Sequence, residues 1–102
     1  MKTVRILEEA SQEAEEAAAW YESEQPGLGA EFFTAIDRAL DIIEENYLPL
    51  SPLPGEAGNS GAKRLMLDRF PYDLVVIETG TEAVVIAVAH HSRKPGYWRN
   101  RD

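Results

Sequence analysis

The residues with the widest chemical range sit in two stretches of the C-terminal half. "AHHSRKPGYWRNR" (89–101) carries two adjacent histidines, three arginines, a lysine and two large aromatics, and "AKRLMLDRF" (62–70) adds another lysine and two arginines. Histidine beside arginine suits metal-free phosphoryl chemistry. A guanidinium holds phosphate and stabilises developing charge, while an imidazole moves a proton. Lys63, Arg64 and Arg69 lie on or beside one expected strand, and His91, Arg93 and Lys94 follow another. If those strands are neighbours, alternate side chains converge on one face of a sheet. The competing reading is that these cations offset acidic helices or solvate strand ends, and spacing alone favours it.

Other constellations are weaker. His90 and His91 suggest a metal, but adjacent strand residues face opposite sides, and the chain has no cysteine and no further histidine to complete a soft ligand set. No metal or cofactor is therefore expected. Glu9, Glu13, Glu15, Glu16, Glu22 and Glu24 resemble paired carboxylates, yet a charge run of this kind reads as a solvated helical face. Trp20 and Tyr21 read as packing residues.

The elements that must position these groups follow from periodicity. "TVRIL" (3–7) is a short β-branched strand. Ser11 is placed to cap a helix in which Ala14, Ala17, Ala18 and Tyr21 recur on one face. "QPGLG" (25–29) breaks that helix. Leu28, Phe32, Ile36, Leu40, Ile43 and Tyr47 then form a second stripe, widened by Phe33 and Ile42. The short turn predicts an antiparallel helical hairpin. Residues 47–61, rich in proline and glycine, form a loop. Strands follow at 62–70, 72–78 and 82–90, the last two joined by a hairpin turn at "TGT" (79–81). The order β-α-α-β-β-β predicts an α+β fold, with the hairpin on one face of a largely antiparallel sheet and the other face partly open.

Composition bounds the function. The 102 residues make one domain, 1–102, with a 44% hydrophobic content and a net charge of −8. Residues 1–62 hold 13 acidic and 3 basic side chains, whereas residues 63–102 hold 5 and 7. Bulk electrostatic grip on nucleic acid is excluded, and anion-directed chemistry belongs to the second half. The apolar run "AVVIAVA" (83–89) is too short to cross a bilayer, so no membrane partner is expected. The acidic N-terminal stretch has no signal-like core, which points to a cytoplasmic protein.

The order and spacing of three stretches resemble the RelE/ParE toxin superfamily of type II toxin–antitoxin modules, often labelled plasmid-stabilisation proteins. They are residues 8–46, "KRLMLDRFPYDLVV" (63–76) and "VVIAVAHHSRKPGYW" (84–98), the last with the pattern His-x-x-Arg-Lys-Pro-x-x-Trp. The resemblance implies a compact β-α-α-β-β-β fold, a cognate antitoxin that wraps it through a helix or strand, and growth inhibition when free. RelE-like members cleave messenger RNA on the ribosome without metal; ParE-like members inhibit DNA gyrase and lack that catalytic set. Carried over, Arg64 and Arg69 would face phosphate. His91 and Arg93 would be their counterparts after the last strand, and Tyr97 the terminal aromatic.

Asp73 stands where RelE-like chains often place a cation, the lysine-rich helix is missing, and a charge of −8 opposes entry into ribosomal RNA. The resemblance therefore points to the ParE-like side and a protein target such as DNA gyrase. A ribosome-dependent endoribonuclease and a non-toxic interaction module are the alternatives. Tyr97 and Trp98 are expected to pack, and Arg93, Lys94, Arg99 and Arg101 to recognise an acidic partner. A half-covered face of Leu65, Leu67, Val75 and Val85 would allow a homodimer.

Overall fold

The computed structural model describes residues 2–45, 61–94, 96–99 and 101, together with the backbone pairing of residues 51–52. Strand β1 (Thr3–Ile6) leads into helix α1 (Glu8–Glu24), and α2 (Leu28–Glu45) follows after a tight turn. Strands β2 (Ser51–Pro52), β3 (Lys63–Met66), β4 (Tyr72–Thr79) and β5 (Glu82–His90) complete the chain. They form one mixed sheet in the order β1-β5-β4-β3-β2. β1 runs parallel to β5, and the other pairings are antiparallel. This is the expected α+β arrangement, with a two-residue strand added inside the segment expected to be loop. Tyr47, the last residue of the expected stripe, lies outside the described residues.

Helix α1 starts earlier than Ser11 would place it. Leu7 is the N-cap, without a side-chain cap, and Ser11 lies one turn inside with its N–H donating to the Leu7 carbonyl (3.0 Å). Glu8 and Glu9 supply the negative charge that the positive helix end favours. At the turn, Gly27 adopts φ 91°, a conformation that glycine reaches without steric penalty. The Glu22 carboxylate accepts the N–H groups of Gly27 (3.0 and 3.1 Å) and Gly29 (3.0 Å), capping α2 from the preceding helix. A Cβ on Gly29 would stand 2.8 Å from the Ala18 carbonyl oxygen, so this position keeps the two helices close.

The helices bury Ala10, Ala14, Ala17, Ala18, Phe32, Ala35, Ile36, Ala39 and Ile43 against Leu74, Val76, Val85 and Val88 of the sheet. Tyr21, Phe32, Phe70 and Tyr72 interlock, with Phe32 5.1 Å from both Phe70 and Tyr72 and 5.4 Å from Tyr21. Each such aromatic pair adds about 0.5–1.5 kcal/mol beyond its buried area. Trp20, read from sequence as a packing residue, is instead 58% exposed.

The sheet's other face is not open. Trp98, only 4% exposed, joins Val75, Val84, Ile86, Ala87 and Ala89 in a second core. The C-terminal tail thus covers the face the helices leave bare. Leu67 and Val85 belong to the helical side and Val75 to the tail side, all buried. They do not form the single half-covered face proposed for self-pairing.

Two local irregularities decide where the chemistry goes. Val75 pairs with Ala87 but Val76 pairs with Val85, which leaves Ile86 as a bulge. Ile86 and Ala87 therefore both face the tail side, and Val88 returns to the helical side. The strand expected over 62–70 stops at Met66, and Arg69 takes a left-handed φ of 74°.

Candidate functional site

Asp73, on β4, is a charged side chain that the fold buries, at 7% exposure. One carboxylate oxygen lies 3.0 Å from His91 Nε2 and the other 3.7 Å from Arg64. His91 reaches it because its N–H donates to the Pro71 carbonyl (2.8 Å), extending the β4–β5 pairing beyond the strand. Arg64 and His91 thus lie together on the tail side of the sheet, both against Asp73. A carboxylate that fixes an imidazole resembles the base–orienter half of an acid–base site. Here, however, the same carboxylate also neutralises the guanidinium that would have held phosphate.

The remaining expected residues lie elsewhere. Arg69 pairs with Glu31 of α2 at 2.9 Å, on the helical side, and Lys63 pairs with Glu78 at 3.3 Å. Neither cation joins Arg64, because the left-handed turn at Arg69 redirects the chain and Lys63 alternates to the opposite face. His90, the histidine three residues before Arg93, stands edge-on to Tyr72 with ring centres 5.0 Å apart. Its Nδ1 accepts the Ser92 N–H (2.9 Å). The two histidines diverge, as adjacent strand residues should.

Tyr97 and Arg93 belong to a cluster centred on Glu13. β1 ends at Ile6, so β5 beyond Val85 has no strand beside it on that side. The Glu13 carboxylate takes the place of a strand: it accepts the Val88 N–H (3.0 Å), the Tyr97 hydroxyl (2.6 Å) and the Arg101 guanidinium (2.9 and 3.2 Å). Arg101 also donates to the Ile86 carbonyl at 3.0 Å. Burial, then the hydrogen bond to Glu13, pushes the Tyr97 phenol above the ordinary tyrosine range. The bond to Glu13 likewise raises Arg101. Arg93 lies over the Tyr97 ring at 3.9 Å and Arg101 at 5.1 Å, two cation–π contacts. Tyr97 is therefore held as a hydrogen-bond donor in a structural clasp, and Arg101 faces inward instead of toward a partner.

In the sequence Glu13 is one of a run of acids whose pattern reads as a solvated helical face. One signal could have separated it. It stands three residues after Ala10 and four before Ala17, both buried, so it borders the core stripe while its neighbours Glu15 and Glu16 are exposed. Asp73 had a comparable signal, an acid next to the apolar run Leu74–Ile77 of its strand.

Two depressions border these groups. A groove of about 220 Å³ runs between α1, α2 and the end of β1, lined by Ile6, Ala10, Ala14, Phe33, Ile36 and Leu40, with Glu15 and Asp37 in its lining. Phe33 is 42% and Ile6 40% exposed. A recess of about 210 Å³ lies among Trp20, Glu16, Tyr72, His90 and Arg93. Among the described residues no helix is long and apolar enough to cross a membrane.

Searches found no family model that matches this chain and no match among curated proteins. The fold, however, is found among solved structures. One described as the chromosomal ParDE TA system from P. aeruginosa superposes with a TM-score of 0.73, over 88% of this chain and 96% of that chain, at 15% identity. The two-helix, mixed-sheet arrangement is thus a RelE/ParE-like fold.

Proposed function

We propose that the chain is the toxin of a type II toxin–antitoxin module, acting by binding a protein target such as DNA gyrase and neutralised by a cognate antitoxin. One observation carries the choice of a binding mechanism over RNA cleavage. Of the five groups expected to form a ribonuclease site, four are tied to the chain's own carboxylates: Arg64 and His91 to Asp73, Arg69 to Glu31, and Tyr97 to Glu13. They are also spread over both sides of the sheet. No uncompensated cationic cluster is left among them to receive a scissile phosphate, and a net charge of −8 repels RNA. The ParDE likeness in fold supports the module reading. The apolar groove beside β1 offers an antitoxin segment somewhere to bury apolar side chains.

The alternative, a metal-independent, ribosome-dependent endoribonuclease, draws on the His91–Asp73 pair at 3.0 Å. Induction in a bacterial host separates the two readings. Plasmid supercoiling and cleavage of ribosome-bound messenger are measured in the same culture. The expected outcome is growth arrest with relaxed plasmid and intact messenger, relieved by the antitoxin. Codon-positioned cuts that vanish in Arg64→Ala would establish the ribonuclease instead. Unimpaired growth would leave only a non-toxic interaction module.

A further inference from the structure

Arg93 differs from the other arginines around the candidate site. Arg64, Arg69 and Arg101 are each matched by a carboxylate at 2.9–3.7 Å. Among the described residues, the Arg93 side chain makes no ion pair: its guanidinium lies 3.9 Å over Tyr97, whose hydroxyl is anchored by Glu13. Stacking on an anchored ring fixes the plane of the guanidinium and leaves its edge N–H groups to point outward. That is the pre-organised fork that recognises a carboxylate. Glu16 lines the same recess but makes no ion pair with it among the described residues. Across the recess stands Trp20, 58% exposed, its ring held edge-on by Tyr21 at 5.1 Å. An exposed, positioned tryptophan opposite an unmatched arginine is the residue pairing that dominates protein interfaces.

We infer that this recess is a docking site for a protein segment that presents an acidic side chain next to an aromatic or aliphatic one. The carboxylate bridges to Arg93 and the apolar side chain lies on Trp20. Tyr72 and His90 form part of the wall. The inference rests on the reading of the chain as a protein that acts by binding another protein. An RNA strand, with phosphate on Arg93 and a base on Trp20, is the competing occupant. The charge of −8 disfavours a polyanion far more than a short acidic motif.

The test uses the full chain, isotope-labelled, with three probes: the peptide acetyl-Leu-Glu-Phe-Glu-Leu-amide, its glutamine counterpart, and a hexa-adenylate RNA. The acidic peptide is expected to shift the Trp20 indole and Arg93 Nε signals, while the glutamine peptide binds roughly ten-fold more weakly. Arg93→Gln and Trp20→Ala, both at exposed positions, should each weaken the acidic peptide to a similar degree. Arg93→Lys, which keeps charge but not the planar fork, should recover only part of the affinity. Equal binding of both peptides, shifts confined to another surface, or preference for the RNA would overturn the proposal. Growth arrest on induction is scored separately for wild type and Arg93→Gln. A wild type without arrest removes the toxin reading, yet the peptide titration still decides the surface.

Discussion

Glu13 carries more of the structure than any other acidic residue in α1. It ties the first helix, the exposed edge of β5 and the C-terminal tail through one carboxylate. Glu13→Ala should leave the Arg101 guanidinium, 19% exposed, without its carboxylate and the Val88 N–H without its acceptor. Loss of a partner from a largely buried pair is expected to lower stability by about 2–3 kcal/mol, measurable by urea unfolding. Tyr97 makes a second prediction. Its proton is held more tightly in the folded state than in the unfolded chain, where tyrosine ionises near 10. Its contribution to stability is therefore complete below pH of about 10 and declines as pH rises beyond that value. A tyrosinate absorbance titration should show late ionisation of the partly buried phenols Tyr21, Tyr72 and Tyr97, and Tyr97→Phe should remove the one that ionises last. A Tyr97 phenol that titrates normally in the folded protein would contradict the clasp.

Among the elements, the helical hairpin depends on a close approach that its small residues permit. Gly29 lies against the Ala18 carbonyl, where a Cβ would meet oxygen at 2.8 Å. Gly29→Ala replaces a poor helix former with a good one and should stabilise α2 by propensity alone. The forced separation of α1 and α2 outweighs this, and a net loss of about 1–3 kcal/mol is expected in thermal melting. An unchanged or raised melting temperature would mean the hairpin adjusts freely. Much at this scale was legible in the sequence. The alanine stripe of α1, the apolar stripe of α2 and the hairpin between β4 and β5 all follow from periodicity and turn residues. Ser11 misled because a hydroxyl residue before a helical pattern resembles a cap, whereas the Leu7 backbone had already begun the turn. The end of β3 was illegible because an arginine at φ 74° has no sequence signature of the kind glycine provides.

At the scale of the whole molecule, charge is segregated by layer. Helix α1 holds seven acidic side chains and no basic ones, and α2 holds five against one arginine. Much of this negative layer faces solvent, so self-repulsion should depress stability at low ionic strength. Raising salt from about 0.05 to about 0.5 M shortens the Debye length several-fold and is expected to raise the melting temperature. A fall would show that the sheet's ion pairs dominate instead. The same segregation explains why the cations near the C-terminus do not form an anion-binding patch. Lys63, Arg64, Arg69 and Arg101 pair with the chain's own carboxylates, and Arg93 stands at the recess beside Trp20.

The sequence by itself determined the order and type of elements, which faces are apolar, and the lack of cysteine chemistry. These depend on local periodicity and composition. Only the tertiary structure decided how the candidate site was divided. A one-residue bulge at Ile86 sets His90 on the helical side, the left-handed turn at Arg69 removes that arginine from Arg64, and the early end of β1 makes Glu13 the acceptor for the tail. Each event shifts side chains by one face or one partner. Strand register and edge completion are settled by contacts between residues far apart in the chain, so no local pattern records them.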